Sequence, residues 1–420
     1  MFVYTVTSGD SLYTISQKYN ISVDTIRLVN GLEETNVVPG QSLLMNTNVY
    51  TVQPGDSFYS IAQMAYVSTN RLRSANPNVD PNSLQPGMEI VLPQLPEYIA
   101  SIFNYFYITG TPLDQALIND FAPYTTYFAT FEYHFNTNGW LSQLDDLEEI
   151  ETAWNRNSPP LVTITNLTEA GFNSELTSIT LNNPSARQSL INNIYSLTVT
   201  KGYTGVNIDF EGNLPEDRDI FSTFLSELGE RLHAAGLLLT VAVHPKTSED
   251  IPWLLGYDYG AIGSVVDFMF IMAYDWHHMA SNPGPVAPIN DVRSTIEFAL
   301  ERVDRRKIIL GIPLYGYDWA LPYNPGVLSQ AISNENAINL AMRQGSPIHY
   351  SEEYKSPYFY YVDERGQNHI IWFEDVRSIA EKLLLVREYQ LLGTGPWQIG
   401  LRFQPWPWLL TNFLNVRKVI

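Results

Sequence analysis

Two carboxylic acids, Asp209 and Glu211, stand two residues apart at the end of the run Tyr203-Thr-Gly-Val-Asn-Ile-Asp-Phe-Glu-Gly212. Side chains alternate along a strand, so Asn207, Asp209 and Glu211 fall on one face and Val206, Ile208 and Phe210 on the other. Acids presented at the C-terminal end of an apolar strand, with a glycine directly after, suit proton transfer at the mouth of a barrel. The same pattern also fits a strand that merely ends in solvated acids. Other apolar runs close on residues of similar chemistry: Tyr274 and Asp275 before Trp276, Tyr315 and Tyr317, Trp397 and Gln398, Asn104 and Tyr105, Glu132 and Tyr133. Acids ringed by Tyr and Trp make a site in which rings stack on pyranose faces and carboxyl groups cleave a glycosidic bond. His277 and His278 are neighbours on a loop, where two imidazoles seldom chelate together, so a surface or substrate-edge role is the better reading. No metal site and no cofactor is expected.

To bring those ends together, the chain beyond residue 96 must alternate strands with helices. Strands are expected at 99–107, 127–133, 161–165, 205–211, 238–243, 268–274, 308–314 and 395–399, with amphipathic helices such as 217–235 and 292–303 between them. Eight strands in this α/β alternation fit a (β/α)8 TIM barrel better than a doubly wound sheet, which would need a Gly-rich phosphate loop that the chain lacks. Residues from about 317 to 373 break the alternation with Tyr-rich segments such as Tyr358-Phe-Tyr-Tyr-Val362 and His369-Ile-Ile-Trp372. They are expected to form a small α+β insertion after strand seven.

Ahead of the barrel lies a repeat. Tyr4-Thr-Val-Thr-Ser-Gly-Asp-Ser-Leu-Tyr-Thr-Ile returns 46 residues later as Tyr50-Thr-Val-Gln-Pro-Gly-Asp-Ser-Phe-Tyr-Ser-Ile. Asn30 matches Asn76, and Pro39-Gly40 matches Pro86-Gly87 after one extra residue. Each copy reads as strand, turn, helix, helix, strand, with Asp10 or Ser11 capping the first helix of copy one. The divisions are 1–47, 48–94 and 97–420, the last joined through Leu92-Pro-Gln-Leu-Pro96, a stiff proline-punctuated junction.

Composition excludes some partners. The 420 residues carry a formal charge of −20 with no basic cluster, which argues against nucleic acid and against an anionic membrane surface. Cysteine is absent, so disulfides, thiolate metal sites and cysteine nucleophiles are excluded. No apolar stretch is long enough to span a bilayer, and Met1-Phe-Val-Tyr-Thr-Val lacks the basic and apolar segments of a signal peptide. A monomer is expected.

The repeat resembles the LysM domain in its Tyr-x-Val-x-x-Gly-Asp-Ser opening, internal Asn and Pro-Gly before the last strand. That resemblance implies two small βααβ modules that bind glycans containing N-acetylglucosamine, peptidoglycan or chitin, and gain avidity by pairing. The segment Thr204-Gly-Val-Asn-Ile-Asp-Phe-Glu211 resembles the Asp-x-x-Asp-x-Asp-x-Glu motif of family 18 glycoside hydrolases. Phe270-Ile-Met-Ala-Tyr-Asp275, Gly311-Ile-Pro-Leu-Tyr-Gly316 and Trp397 agree with it in position and order. The whole arrangement is similar to the spore cortex-lytic N-acetylglucosaminidases of Bacillus-type spore formers.

The resemblance implies retaining, substrate-assisted hydrolysis of β-1,4 bonds after N-acetylglucosamine. Glu211 is then the general acid, Asp209 orients the substrate's acetamido group, and Tyr274 hydrogen-bonds its oxygen. Asp275 and Trp397 hold the same sugar, with Asn207, Tyr105, Glu132, Tyr315 and Tyr317 as further substrate-binding candidates. Thr204 and Asn207 depart from the motif, which usually has Asp at both places. Asn207 is expected to hydrogen-bond Asp209 without sharing a proton, leaving Asp209 ionised to lower pH than in the usual arrangement. Two other readings stay open: a catalytically inactive peptidoglycan- or chitin-binding protein, and a chitinase. The expected location is the coat/cortex boundary of the spore, reached from the mother cell without a signal peptide, with extracellular space or cell wall as the alternative.

Overall fold

The computed structural model describes residues 1–420. Eight apolar runs form the strands β1 (Ile99–Tyr107), β2 (Tyr127–His134), β3 (Pro160–Thr165), β4 (Gly205–Asp209), β5 (Leu238–Val243), β6 (Phe268–Ile271), β7 (Ile308–Pro313) and β8 (Gly393–Trp397). They pair in parallel in chain order, and β8 returns to β1 through Gly393↔Ser101 and Thr394↔Ile102, so the sheet closes into a barrel. Closure is tight, since a Cβ on Gly393 would lie 1.7 Å from the Ser101 carbonyl oxygen. Helices such as Arg218–His233 and Ile289–Leu300 cover the outside with their buried faces. None of the helices is long and apolar enough to cross a membrane.

The expected strands all form, yet several stop short of the residues they present. β4 ends at Asp209 and β6 at Ile271, which leaves Glu211 and Tyr274 in the loops just beyond. The reason at β4 is local. Phe210 turns outward to pack on Phe135, Phe221 and Phe224, and Gly212 takes a φ of 71°.

After β7 the chain builds a five-stranded antiparallel sheet in the order Gln330–Ser333, Tyr315–Leu321, Asn368–Trp372, Ser356–Val362, His349–Ser351, with the helix Asn334–Gln344 against it. This insertion begins at Tyr315, two residues before the expected start. Its return to the barrel is marked by an ion pair with no solvent exposure, Lys382 to Glu374 at 2.7 Å.

Each N-terminal repeat is a two-stranded antiparallel sheet with two helices: Phe2–Thr5 with Ser42–Met45, and Val49–Thr51 with Glu89–Val91. The recurring polar residues have structural work. Ser11 and Ser57 cap the first helices, whereas Asp10 and Asp56 brace the turns by accepting from Tyr4 and Tyr50 hydroxyls and from the Thr7 and Gln53 amides. Asn30 pairs with both backbone groups of Leu44, at 2.7 and 3.0 Å, and Asn76 does the same to Val91 at 2.8 and 2.9 Å. A buried amide thus ties the second helix to the closing strand where no backbone partner is in reach.

The modules are docked on the barrel. Tyr19 and Phe2 of the first pack on Tyr50 of the second, and Tyr66 of the second packs on Phe413. Pro39 and Gly40 carbonyls accept from the Ile348 amide at 2.9 Å and the Arg377 guanidinium at 3.0 Å. Arg71 and Arg387 hold the Gln94 and Pro96 carbonyls of the junction. One hydrophobic cluster of 111 buried residues runs from the first module into the barrel.

Gly40 and its counterpart Gly87 test this docking. Both have left-handed φ, 81° and 89°, but a Cβ on Gly40 would lie 1.8 Å from the Ile348 oxygen whereas one on Gly87 meets nothing within 4 Å. Gly87→Ala should cost about 1 kcal/mol in urea unfolding, from backbone conformation alone. Gly40→Ala should cost at least about 2 kcal/mol more, because the module must lift from the insertion.

Candidate active site

The C-terminal mouth of the barrel holds a cavity of about 370 Å³ lined by Phe131, Leu167, Phe172, Asp209, Glu211, His244, Met272, Tyr274, Asp275, Tyr315 and Trp397. Strand ends from β2 to β8 converge there, as the parallel closed sheet requires. A larger hollow of about 560 Å³ lies within the insertion, but Asp318 there already accepts from Tyr361 at 2.6 Å and contacts His369 at 2.8 Å.

Asp209 is 2% exposed, and its Oδ1 has no hydrogen-bond partner. Burial, then the neighbouring charges of Glu211 and Glu132, push its pKa well above the usual carboxylate range. Tyr274 is buried as well, and its hydroxyl has no partner. Glu211 is held through its backbone: its amide donates to Asn166 Oδ1 at 2.9 Å and its carbonyl accepts from Asn166 Nδ2 at 2.8 Å. Its carboxylate meets His244, whose Nε2 lies 3.2 Å from Oε2.

Asp275 sits at a φ of 65°, in the left-handed region, and its Oδ1 accepts from Tyr315 at 2.8 Å and Tyr317 at 3.0 Å. Burial raises its pKa and the two phenols pull it partly back. Trp397 stands edge-on to Phe131 at 4.9 Å and Tyr105 at 5.2 Å, so the indole is braced from below.

The residues that the sequence nominates divide into two layers in this geometry. Asp209, Glu211, Tyr274, Asp275, Tyr315 and Trp397 line the cavity. Asn207, Tyr105, Tyr317 and Glu132 lie behind it. The Asn207 amide donates to the Tyr105 hydroxyl at 2.9 Å and its oxygen accepts from Thr240 at 2.9 Å. Asn207 therefore does not hydrogen-bond Asp209, contrary to expectation, because its neighbours in the barrel interior satisfy both ends of the amide. Glu132 accepts from Thr165 at 2.8 Å and acts on Asp209 through its charge. His277 is bonded through Nδ1 to the Asn282 carbonyl at 2.9 Å, outside the cavity lining.

His244 is absent from the residues that the sequence nominates. It follows β5 directly, so the rule that finds the others, reading what stands at each strand's C-terminal end, applies to it equally. Phe131, Leu167, Phe172 and Met272 escape sequence reasoning for another reason: an apolar wall residue is indistinguishable in sequence from a core residue.

The Glycosyl hydrolases family 18 profile matches residues 115–401, and the LysM domain profile matches 4–46 and 50–93. YdhD of Bacillus subtilis (strain 168) is 55% identical over 420 residues that span all of both chains. The cortical fragment-lytic enzyme of Bacillus anthracis is 36% identical over 428 residues, covering 99% of each chain. The crystal structure of the Bacillus cereus spore cortex-lytic enzyme SleL superposes with a TM-score of 0.89 at 33% identity, covering 99% of each chain. With its acids at the barrel mouth and two modules ahead of it, the chain belongs to glycosyl hydrolase family 18 and is a glycosidase with two N-terminal LysM domains.

Proposed function

We propose that this glycosidase hydrolyses β-1,4 bonds after N-acetylglucosamine in peptidoglycan, acting on spore cortex fragments during germination, while the LysM domains hold the polymer. One observation carries the reading. A buried acceptor, Asp209 Oδ1, and a buried hydroxyl, Tyr274 Oη, are both without partners on the wall of one cavity. Buried polar groups are nearly always paired, so an unpaired acceptor and donor together describe the complement of a ligand amide. An N-acetyl group presents an N–H to the first and a C=O to the second.

The mechanism follows from that arrangement. The acetamido oxygen, turned toward C1 by Asp209 and Tyr274, attacks as the glycosidic C1–O bond breaks, and Glu211 gives its proton to the leaving oxygen. The oxazolinium formed is positive, which the Asp209 carboxylate offsets at close range in a dry site. Water deprotonated by Glu211 then opens the ring with net retention, so no second protein carboxylate acts as nucleophile. Trp397 provides a ring for the sugar face, and Asp275, held through Oδ1 by two phenols, lines the same cavity. A muramic δ-lactam has its nitrogen in a ring and cannot assist, so cleavage falls after N-acetylglucosamine.

The relatives' names favour cortex over chitin, and in the modules Tyr13 and Tyr59, repeat-equivalent and 67% and 66% exposed, offer matching platforms for sugar rings. The same relatives favour the spore as its place of action. Both acids are present in an open cavity, which speaks against a purely glycan-binding role.

Digestion of purified cortex peptidoglycan, with products reduced and read by mass spectrometry, is the test. The wild type should release fragments ending in reduced N-acetylglucosamine, and Glu211→Gln should lower the rate by about 1,000-fold or more. Reduced muramic ends would assign a different bond. Comparable turnover of chitin would favour the chitinase reading, and binding without release by either protein would favour the lectin.

Asp209 generates a separate expectation. It must be ionised to accept the N–H and face the oxazolinium, so the acid limb of kcat/KM should lie well above the ordinary Asp value of about 4. The folded state also retains this proton more tightly than the unfolded chain, so stability falls as pH rises past that value. Asp209→Asn, neutral throughout, should raise Tm by a few degrees at neutral pH, lose that gain below about pH 4, and still abolish most turnover.

A further inference from the structure

We infer that His244 is the positioning residue for Glu211: it fixes one carboxyl oxygen and leaves the other to face the leaving group. The inference rests on the assignment of Glu211 as general acid. Glu211's carboxylate makes no side-chain hydrogen bond, and its single ion-pair contact is His244 Nε2 at 3.2 Å from Oε2. The contact takes one oxygen and leaves Oε1 for the glycosidic oxygen.

The imidazole is itself held on an unusual support. The His244 carbonyl accepts from the Tyr259 hydroxyl, and the ring meets the edge of Tyr257 at 5.9 Å and 75°. Tyr257 in turn donates to the Phe210 carbonyl at 2.8 Å, one residue before Glu211. The ring that braces the histidine is therefore bonded to the backbone that carries the acid. Asn166 fixes that backbone from the other side.

His244 also sits on the seam between the cavity and an adjoining groove of about 430 Å³ that contains Trp253, Trp276 and His278. The titratable groups facing it are Asp209 at the end of β4, Glu211 just beyond it, Tyr274, Asp275 and His278 after β6, and Tyr257. Three of these are carboxyl groups, so an imidazole N–H has an electrostatic role beside the one that must change charge.

When Glu211 passes its proton to the leaving oxygen, it becomes a carboxylate 3.2 Å from His244. An N–H there stabilises the carboxylate as it forms. Water returns a proton to Glu211 in the second step, so the histidine gains and loses nothing over the cycle.

The test measures kcat and KM on soluble cortex fragments from about pH 4 to about pH 9 for the wild type, His244→Ala and His244→Gln, with Tm recorded for each. Gln places an amide N–H near the position of Nε2. His244→Ala should lower kcat by about 30-fold, change KM less than about twofold, and move the alkaline limb to higher pH. His244→Gln should recover at least about a third of the lost rate. An alanine variant with wild-type kcat and an unmoved limb would overturn the inference, as would equal losses in Ala and Gln that track a lowered Tm. A wild type without activity on any glycan would overturn the reading of function itself, an outcome distinct from the other two.

Discussion

A carboxyl group with one oxygen unpaired, sunk almost completely in the mouth of the barrel, is the constraint around which this structure is arranged. Removing a carboxylate from water without compensation is expensive, and Asp209 meets only burial and the like charges of Glu211 and Glu132. Such a group persists only in a scaffold stiff enough to prevent it from turning to solvent. The scaffold is the parallel barrel, closed at Gly393 and Ser101 and filled beneath the site by Phe103, Tyr105 and Phe270, with Tyr105 edge-on to Phe103, Phe270 and the cavity-lining Trp397. On the proposed function, the stability given up at Asp209 is recovered when a substrate amide pairs with it, and selectivity for sugars that carry one follows.

The polar residues around that acid divide the labour. Asn207 faces the same interior as Asp209 but is fully engaged with Tyr105 and Thr240, so it stiffens the floor and leaves the acid alone. Tyr315 and Tyr317 converge on Asp275, and their hydroxyls fix that carboxylate while Tyr274 stays unpaired. Charge-assisted bonds hold the supporting groups, while Asp209 Oδ1 and the Tyr274 hydroxyl are left free.

The LysM modules are bonded and packed directly against the barrel and its insertion. A flexible linker would let them sample many orientations, and each binding event would lose that freedom. Here the carbonyls of Pro39 and Gly40 are bonded to the insertion and barrel, Tyr66 lies against Phe413, and the proline junction is gripped by Arg71 and Arg387. On the proposed function, this docking presents a polymer held by the modules to the barrel in a restricted set of directions. The equivalence of the two repeats ends at this contact, since Gly87 has open space where Gly40 meets Ile348.

Much of this is legible in the residues alone. Period-two alternation in 203–212 puts Asp209 and Glu211 on one face, eight apolar runs imply the barrel, and the recurring Gly-Asp-Ser, Asn and Pro-Gly residues mark the modules, because these are local consequences of backbone geometry and turn chemistry. The behaviour of the side chains is not local. Whether Asn207 turns to Asp209 or to Tyr105 depends on a strand more than a hundred residues away, and the direction of the Asp209 pKa depends on how completely the barrel excludes water. His244 stands in plain view after β5, but only the approach of β5 to β4 brings its imidazole to Glu211. Sequence determined which groups were available and on which face each would lie, because those follow from a few neighbouring bonds. Tertiary structure alone decided which groups were paired and which stayed free, because pairing and desolvation are set by atoms that meet only when the barrel closes.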